Sequence, residues 1–141
     1  MTKYVLPVDE RDEPWLSLNK FTRGYVEAAF FCECNEDDGD LGNAHVSEIA
    51  PEAWEKIKAD CAAFQAQPAY QAALAGNNGK VYGFEEEQAG RDYWYTRNGH
   101  GVGFWAREAD VYGPHVDALT EAAGNQEIYV HRGDDGRIYF D

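Results

Sequence analysis

Phe84-Glu85-Glu86-Glu87-Gln88-Ala89-Gly90-Arg91-Asp92-Tyr93-Trp94-Tyr95-Thr96-Arg97-Asn98-Gly99-His100-Gly101-Val102-Gly103-Phe104-Trp105-Ala106-Arg107 is the stretch on which the fold turns. One reading makes Glu85 to Arg97 a helix. Glu85, Glu86 and Glu87 then suit its positive N-terminal end, Arg97 its last turn, and Asn98-Gly99 supplies a left-handed stop. Ala89, Gly90, Tyr93, Trp94 and Arg97 share one stripe of that helix. The other reading makes Asp92 to Arg97 a strand, paired through a glycine-rich turn with Val102 to Arg107, because Tyr93-Trp94-Tyr95-Thr96 is a strand-forming run. The charge placement favours the helix, and the turn at Asn98-Gly99 is common to both. Trp94 and Trp105 are expected in the core, where truncating either to Ala costs about 3–5 kcal/mol.

Outward from this stretch the signals are clearer. Trp15, Leu18, Phe21, Tyr25, Ala29 and Phe30 recur at helical spacing, which predicts a helix over Asn19 to Cys34. Asn35 to Asn43 breaks it. Ser47 or Ala50-Pro51 opens a second helix whose inner face is Trp54, Ile57, Cys61 or Ala62, and Phe64 or Gln65. Pro68 ends or kinks that helix, and a short alanine-rich helix follows. His115 to Ala123 reads as a helix stopped at Gly124. Glu127 to Arg132 and Arg137 to Phe140 read as strands around the hairpin turn Gly133-Asp134-Asp135-Gly136. The expected class is α+β: a small antiparallel sheet of three or four strands packed against N-terminal helices. At 141 residues one domain is expected, with residues 1–14 a loosely held N-terminal segment.

Composition narrows the function. The chain has 26 Asp+Glu against 12 Lys+Arg, a net charge of −14, with aromatics at 14%. A wholly disordered acidic chain is poor in aromatics, so this one folds. Phosphate binding needs clustered Lys and Arg; here they are scattered, which argues against direct nucleic-acid binding and against anionic membranes. The longest apolar run, Ala28-Ala29-Phe30-Phe31-Cys32, is far short of the roughly 20 residues of a membrane span. The first residues hold too short an apolar stretch for a secretory signal. An odd number of cysteines, Cys32, Cys34 and Cys61, in a chain large enough to build a core without disulfides points to a reducing cytoplasm.

Several constellations could carry chemistry. Arg97, Asn98 and His100 stand among three glycines, where backbone N–H groups can converge on an anion, and His100 could move a proton with Asp92 orienting it. A structural turn accounts for the same residues, and the spacing fits no Walker or dinucleotide fingerprint, so no cofactor is expected. No metal is expected either. Cys32, Cys34 and Cys61 lack zinc spacing, and Asp37, Gly42 and Glu48 sit at calcium-loop positions with Gly39 and Leu41 where ligands are needed. From Glu27 to Asp60 ten acids face two lysines, a local net charge of 2 − 10 = −8. Glu36, Asp37, Asp38 and Asp40 are the candidate partner-binding residues, since complementary charge speeds and orients docking. Spread over a diameter of about 37 Å, fourteen net charges give one per ~2.6 Å, against one per ~1.7 Å in duplex DNA.

The segment Gln88 to Trp105 also resembles a signature, D-[FYW]-W-x-T-R-N-G-H-G-x-G-F-W, of a family of small proteins encoded by bacteriophages and prophages. Phe21-Thr22-Arg23-Gly24-Tyr25-Val26-Glu27-Ala28-Ala29 and Gly133-Asp134-Asp135-Gly136-Arg137-Ile138-Tyr139 resemble it too, while Arg91 stands where that family has His. The resemblance implies a role in the cytoplasm of an infected host. It carries over no catalytic residue. With the charge, it points to a non-enzymatic accessory protein that binds a host protein with a basic surface. The alternative is a small enzyme or ligand-binding module using His100, Arg97 and Asp92.

Overall fold

The computed structural model describes residues 13–34, 41–42, 44–78, 84–107 and 109–141. The region expected to be a loosely held N-terminal segment lies mostly outside them. Among the described residues are five helices of eight residues or more. They are α2 (Lys20–Glu33), α3 (Pro51–Gln65), α4 (Pro68–Asn78), α5 (Glu86–Arg97) and α7 (Val116–Ala123). Single turns, α1 (Glu13–Leu16) and α6 (Ala109–Tyr112), precede α2 and α7, and the chain closes in strands β1 (Val130–Arg132) and β2 (Ile138–Phe140).

Helix α2 starts where Asn19 accepts the Thr22 N–H at 2.8 Å. It is buried almost all round, with Phe21, Gly24, Tyr25, Val26, Ala28, Ala29 and Phe30 all inside, as a central helix must be. Helix α3 has Pro51 in its first turn and buries the stripe Ala53, Trp54, Ile57, Cys61 and Phe64. The segment 86–97 is a helix, and its buried stripe includes Ala89, Gly90, Tyr93, Trp94 and Arg97. Strand propensity in Tyr93-Trp94-Tyr95-Thr96 is overridden because α2 offers that stripe a matching face. The two helices cross with their backbones in contact. A Cβ on Gly24 would sit 2.0 Å from the Glu87 carbonyl oxygen, and one on Gly90 would sit 1.8 Å from that of Phe21. Gly99, at φ 70°, ends α5 in the left-handed conformation.

Among the described residues the sheet has two strands rather than three or four. Val130 pairs with Phe140, His131 with Tyr139 and Arg132 with Ile138, all antiparallel. Among the described residues the expected extra strands are absent, because 86–97 is helical and Phe104–Ala106 is a single 3-10 turn. A parallel bridge from Ile49 to Ile138 is the further sheet-like contact. That same turn corrects the expectation for Trp105. A 3-10 turn spaces neighbouring side chains about 120° apart, and the Thr96 hydroxyl accepts the Phe104 N–H at 3.1 Å. Phe104 is therefore fully buried, and Trp105 is 52% exposed.

An aromatic core fills the space between helices and hairpin. Phe64 stacks on Tyr93 at 4.3 Å and on Phe104 at 5.6 Å, and Trp94 meets Phe140 edge-on at 5.9 Å. Cys34 and Cys61 are buried and Cys32 is half-buried, none of them in a disulfide. Burial pushes the Cys61 thiol well above its ordinary pKa, which keeps it protonated and inert.

Candidate functional site

Arg97 occupies the last turn of α5 and is buried. Its Nη1 donates to Tyr93 Oη at 2.9 Å, Asp60 Oδ2 at 3.0 Å and Tyr25 Oη at 3.2 Å. Its guanidinium also lies 5.0 Å over the Tyr93 ring. Burial opposes its charge, but the oxygens of Tyr25, Tyr93 and Asp60 raise its pKa above the ordinary value. Burial also pushes the Tyr93 phenol up to about 12, with Arg97 pulling the other way. One guanidinium thus ties α2, α3 and α5 together.

The rest of the motif diverges from it. Asn98 is buried, donating to the Trp94 carbonyl at 2.9 Å and accepting the Ile128 N–H at 2.6 Å. It fastens the end of α5 to the approach to β1. His100 is half-buried, its ring edge-on to Tyr95 at 5.9 Å. Arg97 and Asn98 are thus engaged by internal partners, Arg97 Nη2 also reaching Gln126 at 3.4 Å, while His100 packs against Tyr95.

Asp92 is fully buried and its carboxylate is saturated. Arg107 Nε lies 3.0 Å from both oxygens and Nη2 lies 2.6 Å from Oδ1, a bidentate pair. Tyr112 donates to Oδ2 at 2.5 Å and Gln88 to Oδ1 at 3.1 Å. The hydrogen bond to Asp92 raises the Arg107 pKa, while burial and the Asp92 charge hold the Tyr112 phenol far above its usual value. Among the described residues no hydrogen bond joins Asp92 to His100. The structure gathers Asp92, Arg107 and Tyr112 into an anchor for the segment after α5. A cleft of about 260 Å³ lies elsewhere, between the start of α2 and α3, lined by Leu18, Asn19, Thr22, Lys58 and Gln65 among others.

The candidate partner-binding residues Glu36, Asp37, Asp38 and Asp40 lie outside the described residues, as does Asp37 of the calcium-like pattern. Glu48, from that pattern, caps the 3-10 turn Val46–Glu48 and pairs with Arg132 at 2.7 Å. Burial would raise its pKa, but the His45 N–H and Arg132 hold it below the ordinary carboxylate value. Among the described residues no cluster of three or more His, Cys, Asp and Glu could hold a metal ion. No described helix is long and apolar enough to cross a membrane.

The charges are sorted by sign. Arg97, Arg107, Arg91 and Arg132 are at most 28% exposed, each held by a carboxylate of Asp60, Asp92, Glu27 or Glu48. Lys56 and Lys58 are paired within α3. Meanwhile Glu52, Glu55, Glu85, Asp117, Glu121, Glu127, Asp134 and Asp141 are exposed. Four arginines thus serve as internal cement, while exposed carboxylates outnumber the exposed cations Lys20, Lys58 and Arg137 among the described residues.

The hairpin supplies a feature that the sequence reading missed. Val130, Ile138 and Phe140 point inward, leaving Tyr129, His131 and Tyr139 on the outer face. Their rings form a stack: Tyr129 on His131 at 4.6 Å and 17°, His131 on Tyr139 at 5.8 Å and 22°. The alternation Tyr129-Val130-His131-Arg132 was the available signal. Asp60, Arg107 and Tyr112 were missed as partners of Arg97 and Asp92 because they lie 15 to 37 residues away in sequence. Compared with protein families, curated proteins and solved structures, the chain has no match.

Proposed function

We propose that this is a non-enzymatic, phage- or prophage-encoded accessory protein that acts in the cytoplasm of the infected host. It binds a basic surface of a host protein and thereby inhibits a nucleic-acid-handling or defence complex, without itself touching nucleic acid. The observation that carries this reading is the sorting of charge. Among the described residues four arginines are drawn into partly buried, neutral ion pairs. That leaves exposed carboxylates such as Glu52, Glu55, Glu85, Asp117, Glu121 and Glu127 on the surface of a chain whose net charge is −14. Such a surface attracts and orients a basic partner and repels phosphate. Against the enzymatic alternative weigh the internal hydrogen bonds that occupy Arg97, Asn98 and Asp92.

The test begins with capture of the partner from host lysate by the tagged protein. Association rates are then measured at low and high salt for wild type and for a variant carrying Glu36→Gln, Asp37→Asn, Asp38→Asn and Asp40→Asn. Slower association and a flatter salt dependence in the variant are expected, whereas His100→Ala should bind as wild type does. Equal low-salt rates for the neutralised variant would remove those four residues from the interface. A sharp loss with His100→Ala would favour the Arg97–His100 turn instead.

A further inference from the structure

The aromatic stack on the outer face of the hairpin has one closed end and one open end. Tyr139 lies against the turn, so closely that a Cβ on Gly133 would come within 2.7 Å of its ring. Its hydroxyl donates to Asp135 at 2.7 Å. At the other end Tyr129 is 67% exposed, the most exposed of the large hydrophobic side chains among the described residues. Opposite Tyr129 stands Asp141, joined to it by backbone hydrogen bonds in both directions, at 3.2 and 2.8 Å. The Asp141 carboxylate reaches His131 Nε2 at 2.5 Å and remains two-thirds exposed. A planar aromatic face and a carboxylate therefore stand side by side, in a chain already short of cations.

We infer that this hairpin face is a docking surface for an arginine of a basic partner protein, its guanidinium stacking on Tyr129 and pairing with Asp141. The inference rests on the proposed function and adds to the acidic candidates a second contact that selects arginine. Arginine suits the place better than lysine because its flat, weakly hydrated guanidinium continues the stack while its N–H groups reach the carboxylate edge-on. A nucleobase could also stack on exposed aromatics. Its phosphates, however, would meet Asp141, Asp135 and the net charge of the whole chain, with Arg132, paired to Glu48, and Arg137 as the hairpin's own cations. Charge complementarity decides for the arginine.

The test titrates the full chain with a short arginine-rich peptide, a lysine peptide of equal charge, and single-stranded oligothymidylate. Wild type should prefer arginine to lysine by about two- to fivefold, the size of an exposed cation–π contact. Tyr129→Ala and Asp141→Asn, each with unchanged melting, should reduce that preference towards unity. The variant neutralised at Glu36, Asp37, Asp38 and Asp40 should bind both peptides more weakly yet keep it. An arginine preference unaffected by Tyr129→Ala would overturn this surface and leave the acidic-binder reading standing. Wild type that binds neither peptide at low salt would overturn both, and tighter binding of oligothymidylate would replace the arginine with a base.

Discussion

Two tryptophans in one motif have opposite fates, and the difference is measurable. Trp94 is fully buried against Tyr25 and Phe140, so Trp94→Ala should cost about 3–5 kcal/mol. Trp105 is half-exposed on a 3-10 turn, and Trp105→Ala should cost about 1 kcal/mol or less. Urea denaturation of both variants checks this, and comparable losses would place Trp105 in the core after all. Asp92 is the second case. Asn at this position keeps the size but leaves Arg107 without its counter-charge, and breaking a buried pair in this way costs roughly 3–5 kcal/mol. Arg107 is 28% exposed and can recover some hydration, so the lower end is expected for Asp92→Asn, read by the same method. A near-neutral effect would return Asp92 to the list of residues kept for chemistry.

At the scale of elements the decisive contact is the α2–α5 crossing. Gly90→Ala would drive a methyl group into the Phe21 carbonyl, which belongs to a helix backbone and cannot rotate aside. The helices must separate, at a cost at or above the ~1–3 kcal/mol usual for overpacking. Thermal melting of Gly90→Ala should fall well below wild type; an unshifted midpoint would show that the crossing is loose. Elements set by local chemistry were legible in the sequence: the start of α2 near Asn19, Pro51 in a first turn, the Asn98-Gly99 stop, the Gly133 to Gly136 hairpin. The direction of Arg97 was not, because Asp60 lies 37 residues away. Nor was the facing of Phe104 and Trp105, which depends on the Thr96 hydroxyl. The polar motif looked like a site because Arg, Asn and His are the residues of sites. The fold spends two of them on fastening a helix end.

For the whole molecule, the question is which electrostatic effect wins. The partly buried pairs of Arg97 and Arg107 are weakly screened by salt, whereas repulsion among exposed carboxylates is screened beyond about 10 Å at 0.1 M. Raising the salt should therefore stabilise the fold, by about 1 kcal/mol or roughly 3 °C in melting temperature. A midpoint that falls with added sodium chloride would mean that the ion pairs outweigh the repulsion. The same treatment should weaken partner binding, so stability and affinity are expected to move in opposite directions along one titration.

The crossing at Gly24 and Gly90, each against the other helix's backbone, also has a place in time. Its two sides lie 66 residues apart, with α3 and α4 between them, so a long loop must close before either glycine meets its carbonyl. Neighbouring helices can form and dock before that closure, but the crossing is made only when most of the chain is already in place. Once made, it opens only with the whole. Hydrogen exchange should accordingly find the slowest amides in α2 and α5, released together at the free energy of global unfolding, while the two-stranded hairpin opens sooner. Exchange that begins within α2 would mean that the crossing breathes on its own.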